Sequence, residues 1–182
     1  MGKLFFTSDL HFGHDREFVW GPRGFNSVQE MNVAIIENWN KVINNDDDIY
    51  VLGDLMLGHP TNIMLVGMLN GHIHLVRGNH DTNARMKNYA ACSNIVEISE
   101  GQFLKIDGQN FYFCHYPCLT SNYDIDKPLK ARVINLCGHT HTTDKFLDMD
   151  KGLIYHVELD AHNNTPVSID TILKDIKNYR SN

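Results

Sequence analysis

The sequence has 182 residues, which is the size of one ordinary domain and long enough to bury a hydrophobic core. Its hydrophobic content of 42% is normal for a globular protein. Its formal net charge of -6 gives no general basic surface, which argues against extended binding of DNA or RNA through phosphate neutralisation. We therefore predict a single domain over residues 1–182.

The sequence predicts no signal peptide or membrane-spanning helix, and together with the cysteine usage this indicates a cytoplasmic protein. Only three consecutive apolar residues, Leu4, Phe5 and Phe6, precede Thr7, so this run is too short for the apolar region of a signal peptide. No apolar run approaches the roughly 20 residues that a helix needs to cross a bilayer. The four cysteines show no Cys-x-x-Cys spacing, and we expect reduced core thiols.

Short apolar strands alternate with helices in the first half of the chain, a pattern typical of α/β proteins. Phe5 and Phe6 begin the first predicted strand. Ser27-Val28-Gln29-Glu30 is a capping-box pattern, and it predicts the start of an amphipathic helix. The next predicted elements are a strand over 49–52, a helix over 61–69 and a strand over 72–77.

The second half of the chain continues in the same way. It predicts strands around Val96 and over 103–106, 111–114, 133–137 and 154–159, followed by a terminal helix over 169–179. No linker, internal repeat or low-complexity segment interrupts this alternation.

Polar residues of metal-ligand type follow five of the predicted strands. Because alternate residues of an extended chain point the same way, each Asp-x-His or His-x-His pair can converge on one spot. Each pair taken alone is more often ordinary surface chemistry. Together they offer carboxylate, amide and imidazole groups to one edge of the fold, in the segments Asp9-Leu10-His11, Gly53-Asp54, Gly78-Asn79-His80-Asp81, Cys114-His115 and Gly138-His139-Thr140-His141.

In sequence order these segments resemble the motif series of the calcineurin-like metallophosphoesterase family, from about Phe5 to His141. The resemblance implies an αββα sandwich, in which two mixed β-sheets pack face to face with helices outside. It also implies a pair of divalent metal ions that share a bridging Asp54. One ion would be held by Asp9, His11, Asp54 and His141, and the other by Asp54, Asn79, His115 and His139.

This implied ligand set has oxygen and imidazole groups but no thiolate, which suits manganese, iron, nickel, cobalt or zinc better than calcium. Manganese is our first choice. The resemblance further implies attack on phosphorus by hydroxide formed from water at the metals. His80 would then protonate the leaving-group oxygen or stabilise its charge. The alternative for His80 is that it merely caps its loop.

The sequence departs from the family pattern beside Asp54. Many members carry an acidic residue three positions after the bridging aspartate to orient the leaving-group histidine, and an arginine follows it. Here Leu57 occupies that position and no arginine follows, which argues against a phosphoprotein phosphatase. His14 and Arg77 are candidate substrate-binding residues. Alternatively, His14 is a loop-capping or exposed histidine, and Arg77 pairs with a carboxylate at the edge of the core.

The substrate expected from this resemblance is a small phosphate ester, either a nucleotide-like phosphodiester or a phosphomonoester. One alternative is an interaction scaffold that keeps the metals but does not turn over substrate. Another is a nuclease acting on longer DNA or RNA, which would need a basic track beside the metals. The candidate residues for such a track are Arg16, Arg23, Lys127, Lys130 and Arg132. The oligomeric state stays open.

Overall fold

The computed structural model describes residues 2–120, 132–147 and 153–179. Its first β-sheet has five strands in the order β4-β3-β2-β1-β9. The first four strands in the chain are parallel to one another, while β9 runs antiparallel to β1. These strands are β1 (Leu4–Thr7), β2 (Asp48–Leu52), β3 (His72–Val76), β4 (Ile95–Ser99) and β9 (Val167–Ser168).

The second sheet has four strands in the order β5-β6-β7-β8. The β5-β6 pair is antiparallel, and β6, β7 and β8 are mutually parallel neighbours, so this sheet is also mixed. Its strands are β5 (Gln102–Ile106), β6 (Gln109–Phe113), β7 (Val133–Cys137) and β8 (Ile154–His156). The α-helices of the described residues are α1 (Glu17–Trp20), α2 (Val28–Val42), α3 (Ile63–Val66), α4 (Asn83–Tyr89) and α5 (Ile169–Tyr179).

The two sheets share one hydrophobic core. Alternation along β1 sends Phe6 towards the second sheet, where its ring centroid lies 5.0 Å from that of Phe113. Phe5, its neighbour in sequence, faces the other way and packs in a second core that includes Ile35 and Trp39 of α2. This arrangement confirms the predicted α/β architecture with two packed mixed sheets and flanking helices.

Two predicted elements are shorter in the structure. The helix expected over 61–69 is a 3-10 turn, Pro60–Asn62, followed by α3, which ends before Gly67. The strand expected over 154–159 ends at His156, and Leu159 begins a second 3-10 turn whose amide donates to the carbonyl of Ser8. Helices α1 and α4 were not predicted. No helix of the described residues is long and apolar enough to cross a membrane.

The parallel strands place five chain segments at one edge of the sandwich. Because β1, β2 and β3 run in the same direction, the segments that follow them leave the first sheet together. The segments after β6 and β7 leave the second sheet in the same manner. Each of these five segments carries predicted metal ligands.

Candidate metal centre

The first predicted ligand group comes together at this edge. The Nε2 atoms of His11 and His141 are 3.0 Å apart, although the two residues are 130 positions apart in the chain. Asp9 Oδ1 lies 3.6 Å from His11 Nε2 and 3.8 Å from His141 Nε2. These three side chains form a group that could hold one metal ion.

The second predicted ligand group lies beside the first. His115 Nε2 is 2.7 Å from Asn79 Oδ1, and His139 Nδ1 is 2.9 Å from the same oxygen. The two ring nitrogens are 3.2 Å apart. All of these atoms therefore face a common point.

Asp54 lies between the two groups. Its Oδ2 is 3.8 Å from His11 Nε2 in the first group and 3.6 Å from His115 Nε2 in the second. The Asp54 carboxyl group is buried, and its Oδ1 accepts the backbone N–H of His80 at 2.8 Å. Asp54 Oδ2 therefore lies within 3.8 Å of a histidine of each group.

The hydrogen-bonding roles of the histidines fit a metal centre. His115 Nδ1 lies 2.8 Å from the carbonyl oxygen of Leu52, so in the neutral ring it is the donor nitrogen and Nε2 carries a lone pair. That lone pair faces another acceptor, Asn79 Oδ1. Among the described residues, buried Asp9 Oδ1 has no hydrogen-bond partner. Converging lone pairs and an unpartnered buried carboxylate oxygen are what a divalent cation satisfies.

The backbone of the ligand residues is strained. Asp9, His11, Asp54, His139 and His141 all have positive φ angles, between 51° and 75°. This left-handed conformation is uncommon for residues other than glycine, and such strain concentrates at functional sites. We expected each pair to converge because alternate residues of an extended chain point the same way, and this explanation is wrong. Asp9 and His11 converge through left-handed turns, while His139 and His141 serve different groups.

Burial and neighbouring charges shift the pKa values of the ligand residues in different directions. Burial alone would raise the pKa of Asp9, but the adjacent His11 ring and the charges of His115 and His141 outweigh it and hold this pKa well below its usual range. At Asp54 burial dominates and raises the pKa, against the opposing effect of His115. Burial and the neighbouring His115 lower the pKa of His139, which favours the neutral ligand form.

An Arg23-Asp160 pair, which the sequence did not indicate, supports the first group. Asp160 Oδ2 lies 3.1 Å from His141 Nδ1, on the side of the ring away from His11. Arg23 is buried and donates two hydrogen bonds to Asp160, at 2.7 and 3.0 Å. It also donates to the carbonyl of Asp9 at 2.7 Å. The pair thus joins the loop of His11 to the loop of His141.

Replacing Asp160 with Asn should weaken the binding of one metal ion by about tenfold or more, because carboxylates behind ligand histidines orient the ring and raise its basicity. The second ion should bind as in the wild type, since His115 is oriented by a backbone carbonyl. Calorimetric titration of metal-free protein would measure both affinities. Asp170→Asn, an exposed aspartate on α5, is the control, and equal weakening of both ions would contradict the prediction.

Glu158 supports the same loop, which follows β7 and carries His139 and His141. Its Oε1 accepts the hydroxyl of Thr140 at 2.9 Å and the backbone N–H of Thr142 at 3.3 Å. Glu158 is fully buried and paired with His156 at 3.1 Å. Sequence reasoning missed this residue because it lies at the end of what reads as an apolar strand.

The cavity beside the metal ligands has a volume of about 290 Å³ and includes His14 and His80 in its lining. The His14 ring centroid is 5.2 Å from that of His11 and 6.3 Å from that of His80. Burial and neighbouring positive charge lower the pKa of His14 to about 4, so the ring is neutral near pH 7. The half-buried His14 ring thus lines the cavity beside His11 and His80.

His80 reaches the cavity from the loop after β3. Its Nε2 lies 4.0 Å from Asp54 Oδ2, and its side chain is 45% exposed. Asp81 points away, because its carboxylate accepts the backbone N–H groups of Asp54 and Gly78, both at 2.8 Å. Asp81 therefore does not replace the acidic residue that orients the leaving-group histidine in many family members, whose position Leu57 occupies here.

Arg77 is not among the described residues that line the cavity. Its guanidinium donates to the carbonyl of Asp81 and to Asn83 Oδ1, both at 2.9 Å, and lies 3.6 Å from Glu100. Arg77 therefore pairs with a carboxylate, Glu100, that is 80% exposed and does not lie at the edge of the core.

The candidate basic track is not assembled by the residues that the structure describes. Arg23 and Arg132 are buried, and only Arg16 of the described candidates is exposed. Lys127 and Lys130 lie outside the described residues.

Comparison with known proteins identifies the family. The model of the calcineurin-like phosphoesterase superfamily domain matches residues 3–157. An uncharacterized protein of Methanocaldococcus jannaschii is 31% identical over 183 residues, covering 97% of this chain and 93% of the relative. The Gene 66 protein of Mycobacterium phage D29 is 26% identical over 186 residues, covering 88% and 89%.

Two solved structures share the fold. A protein of unknown function from Aquifex aeolicus has a TM-score of 0.72 at 20% identity, covering 96% of this chain and 99% of the other. An archaeal phosphodiesterase has a TM-score of 0.50 at 18% identity, covering 85% and 82%. The family match spans all the strand ends that carry the ligand residues. The chain therefore belongs to the calcineurin-like phosphoesterase superfamily and is a metal-dependent phosphoester hydrolase.

Proposed function

We propose that this protein uses two divalent transition-metal ions, preferably manganese, to hydrolyse small nucleotide-like phosphodiesters in the cytoplasm. The observation that carries the proposal is the position of Asp54, whose Oδ2 lies within 3.8 Å of a ligand histidine in each of two adjacent groups. The four free cysteines support the cytoplasmic location.

Seven side chains would bind the two metal ions. Asp9, His11 and His141 would hold one ion, Asn79, His115 and His139 the other, and Asp54 both. When bound, such a pair of ions polarises the phosphoryl oxygens and lowers the pKa of water to near neutrality. Backbone hydrogen bonds and buried partners hold the ligands in place before substrate arrives, including those in the left-handed conformation.

His80 and His14 would act on the substrate itself. Both rings line the cavity, so either can reach an ester oxygen of a phosphate seated on the metals. We assign to His80 the role of giving a proton, or a hydrogen bond, to the departing oxygen. His14 would orient the ester group that stays on phosphorus.

The cavity favours a diester over a monoester. Among the described residues that line it there is no arginine or lysine, and histidine is the main polar residue. A monoester dianion carries more negative charge and would gain most from an additional permanent cation. A diester has one negative charge and two organic groups, which this lining suits better.

Hydrolysis of bis-p-nitrophenyl phosphate and p-nitrophenyl phosphate by the same preparation tests the proposal. Metal-free protein would be loaded in turn with manganese, nickel, iron or zinc, and kcat/KM measured for each. We expect metal-dependent turnover with the diester preferred, and none in the metal-free control. Preference for the monoester would contradict the diester assignment, and two bound ions without any turnover would support the scaffold alternative.

A further inference from the structure

Two exposed aromatic side chains stand beside the metal centre, one next to each ligand group. Phe18 is 73% exposed and lines the cavity together with His11, His14 and His80. Tyr116 is 49% exposed, and it lies next to the second group. Neither ring belongs to the hydrophobic core.

The Phe18 ring is held at the mouth of the cavity by a short anchored helix. Its neighbour Val19 is 6% exposed and donates its backbone N–H to the carbonyl of Arg16 at 2.9 Å. The Phe18 ring meets the His14 ring nearly perpendicularly, with centroids 5.7 Å apart. The backbone is thus fixed while most of a large apolar side chain faces solvent beside the reacting groups.

Tyr116 is placed just as closely against the second group. Its ring centroid lies 4.7 Å from that of His139 and 4.9 Å from that of His115, with both contacts close to perpendicular. These contacts fix the ring next to two metal ligands while half of the side chain stays exposed.

A flat apolar ring next to a phosphate-binding centre suits a substrate that carries planar groups. Nucleobases stack on aromatic side chains whatever their sequence, and each stacked base contributes about 1–3 kcal/mol. No arginine or lysine lines the cavity in the described part of the chain. The main contacts for groups beyond the phosphate are therefore the Phe18 ring, which lines the cavity, and the Tyr116 ring, which lies outside the lining against His115 and His139. A diester with a base on each side of phosphorus would meet both rings.

We propose that Phe18 and Tyr116 are the two base-stacking positions of the site, so that the substrates are dinucleotide-like phosphodiesters. This inference rests on the proposed diesterase function. Phe18 would stack the base on the side of His14, which its ring contacts, and Tyr116 the base on the other side. Specificity would then depend on the presence of planar rings and not on their hydrogen-bonding edges.

Dinucleoside monophosphates with and without bases test this proposal. Metal-loaded protein would be assayed on thymidylyl-thymidine and on two analogues in which one or the other sugar is abasic. Wild type should prefer the intact substrate in kcat/KM by about 5- to 150-fold for each base. Phe18→Leu should abolish the preference for one base and Tyr116→Leu the preference for the other, and Phe18→Trp should retain the first.

Phe103→Leu is the matched control, because Phe103 is 59% exposed on β5 and does not line the cavity. It should leave both base preferences as in the wild type. If the wild type hydrolyses both abasic analogues as fast as the intact substrate, the stacking proposal is overturned while the diesterase function stands. If metal-loaded protein hydrolyses no phosphodiester, including bis-p-nitrophenyl phosphate, both proposals fail together.

Discussion

Replacing Asp54 with Asn should remove most of the bound metal and lower phosphodiester hydrolysis on the order of 1,000-fold. The amide has the shape of the carboxylate but lacks the charge that both ligand groups share. Its carbonyl oxygen can still accept the backbone N–H of His80, so the loop after β3 should keep its position. Metal content after dialysis and kcat/KM for bis-p-nitrophenyl phosphate measure the two effects.

Asp48→Asn is a matched control for this experiment. Asp48 begins the same strand, β2, at the end opposite to the metal centre, and its side chain is 50% exposed. This variant should keep two ions and wild-type activity. An Asp54→Asn protein that also retained both ions would show that Asp54 does not bridge them.

The strand ends that carry the metal ligands could be predicted from the sequence, because each strand end has a simple local signature. Apolar runs followed by Gly-Asp, Gly-Asn-His-Asp or Gly-His-x-His indicated where strands end, and parallel pairing brings those ends together. The capping box was also informative. Ser27 Oγ accepts the N–H of Glu30 at 3.1 Å, at the start of α2, while Glu30 itself reaches back to Asn26.

What the sequence could not predict depends on distant contacts. Arg23 and Asp160 are 137 positions apart, and nothing near either residue indicates that they meet behind His141. The left-handed conformations of Asp9 and His11 likewise depend on backbone pairing, because their N–H groups donate to the carbonyls of Gly53 and Asp54, both at 3.0 Å. Local propensity favours neither conformation, so tertiary contacts must impose it.

Replacing His80 with Ala should slow the hydrolysis of alkyl diesters by about 100- to 10,000-fold and that of aryl diesters much less. A poor leaving group needs a proton or a hydrogen bond at the departing oxygen, whereas p-nitrophenolate leaves without one. Both metal ions should remain bound, because His80 is not a member of either ligand group. Kinetics on esters of graded leaving-group pKa, with metal content measured in parallel, would separate the two classes.

The competing role for His80, capping its loop, makes a different prediction. The loop is held through the backbone of His80, whose N–H donates to Asp54 and whose carbonyl accepts from Arg85, and through the buried carboxylate of Asp81. Alanine preserves these backbone contacts, so loss of the imidazole should not release the loop. Equal slowing of alkyl and aryl esters would favour the capping role. His72→Ala, at the other end of β3, controls for the loss of an exposed histidine.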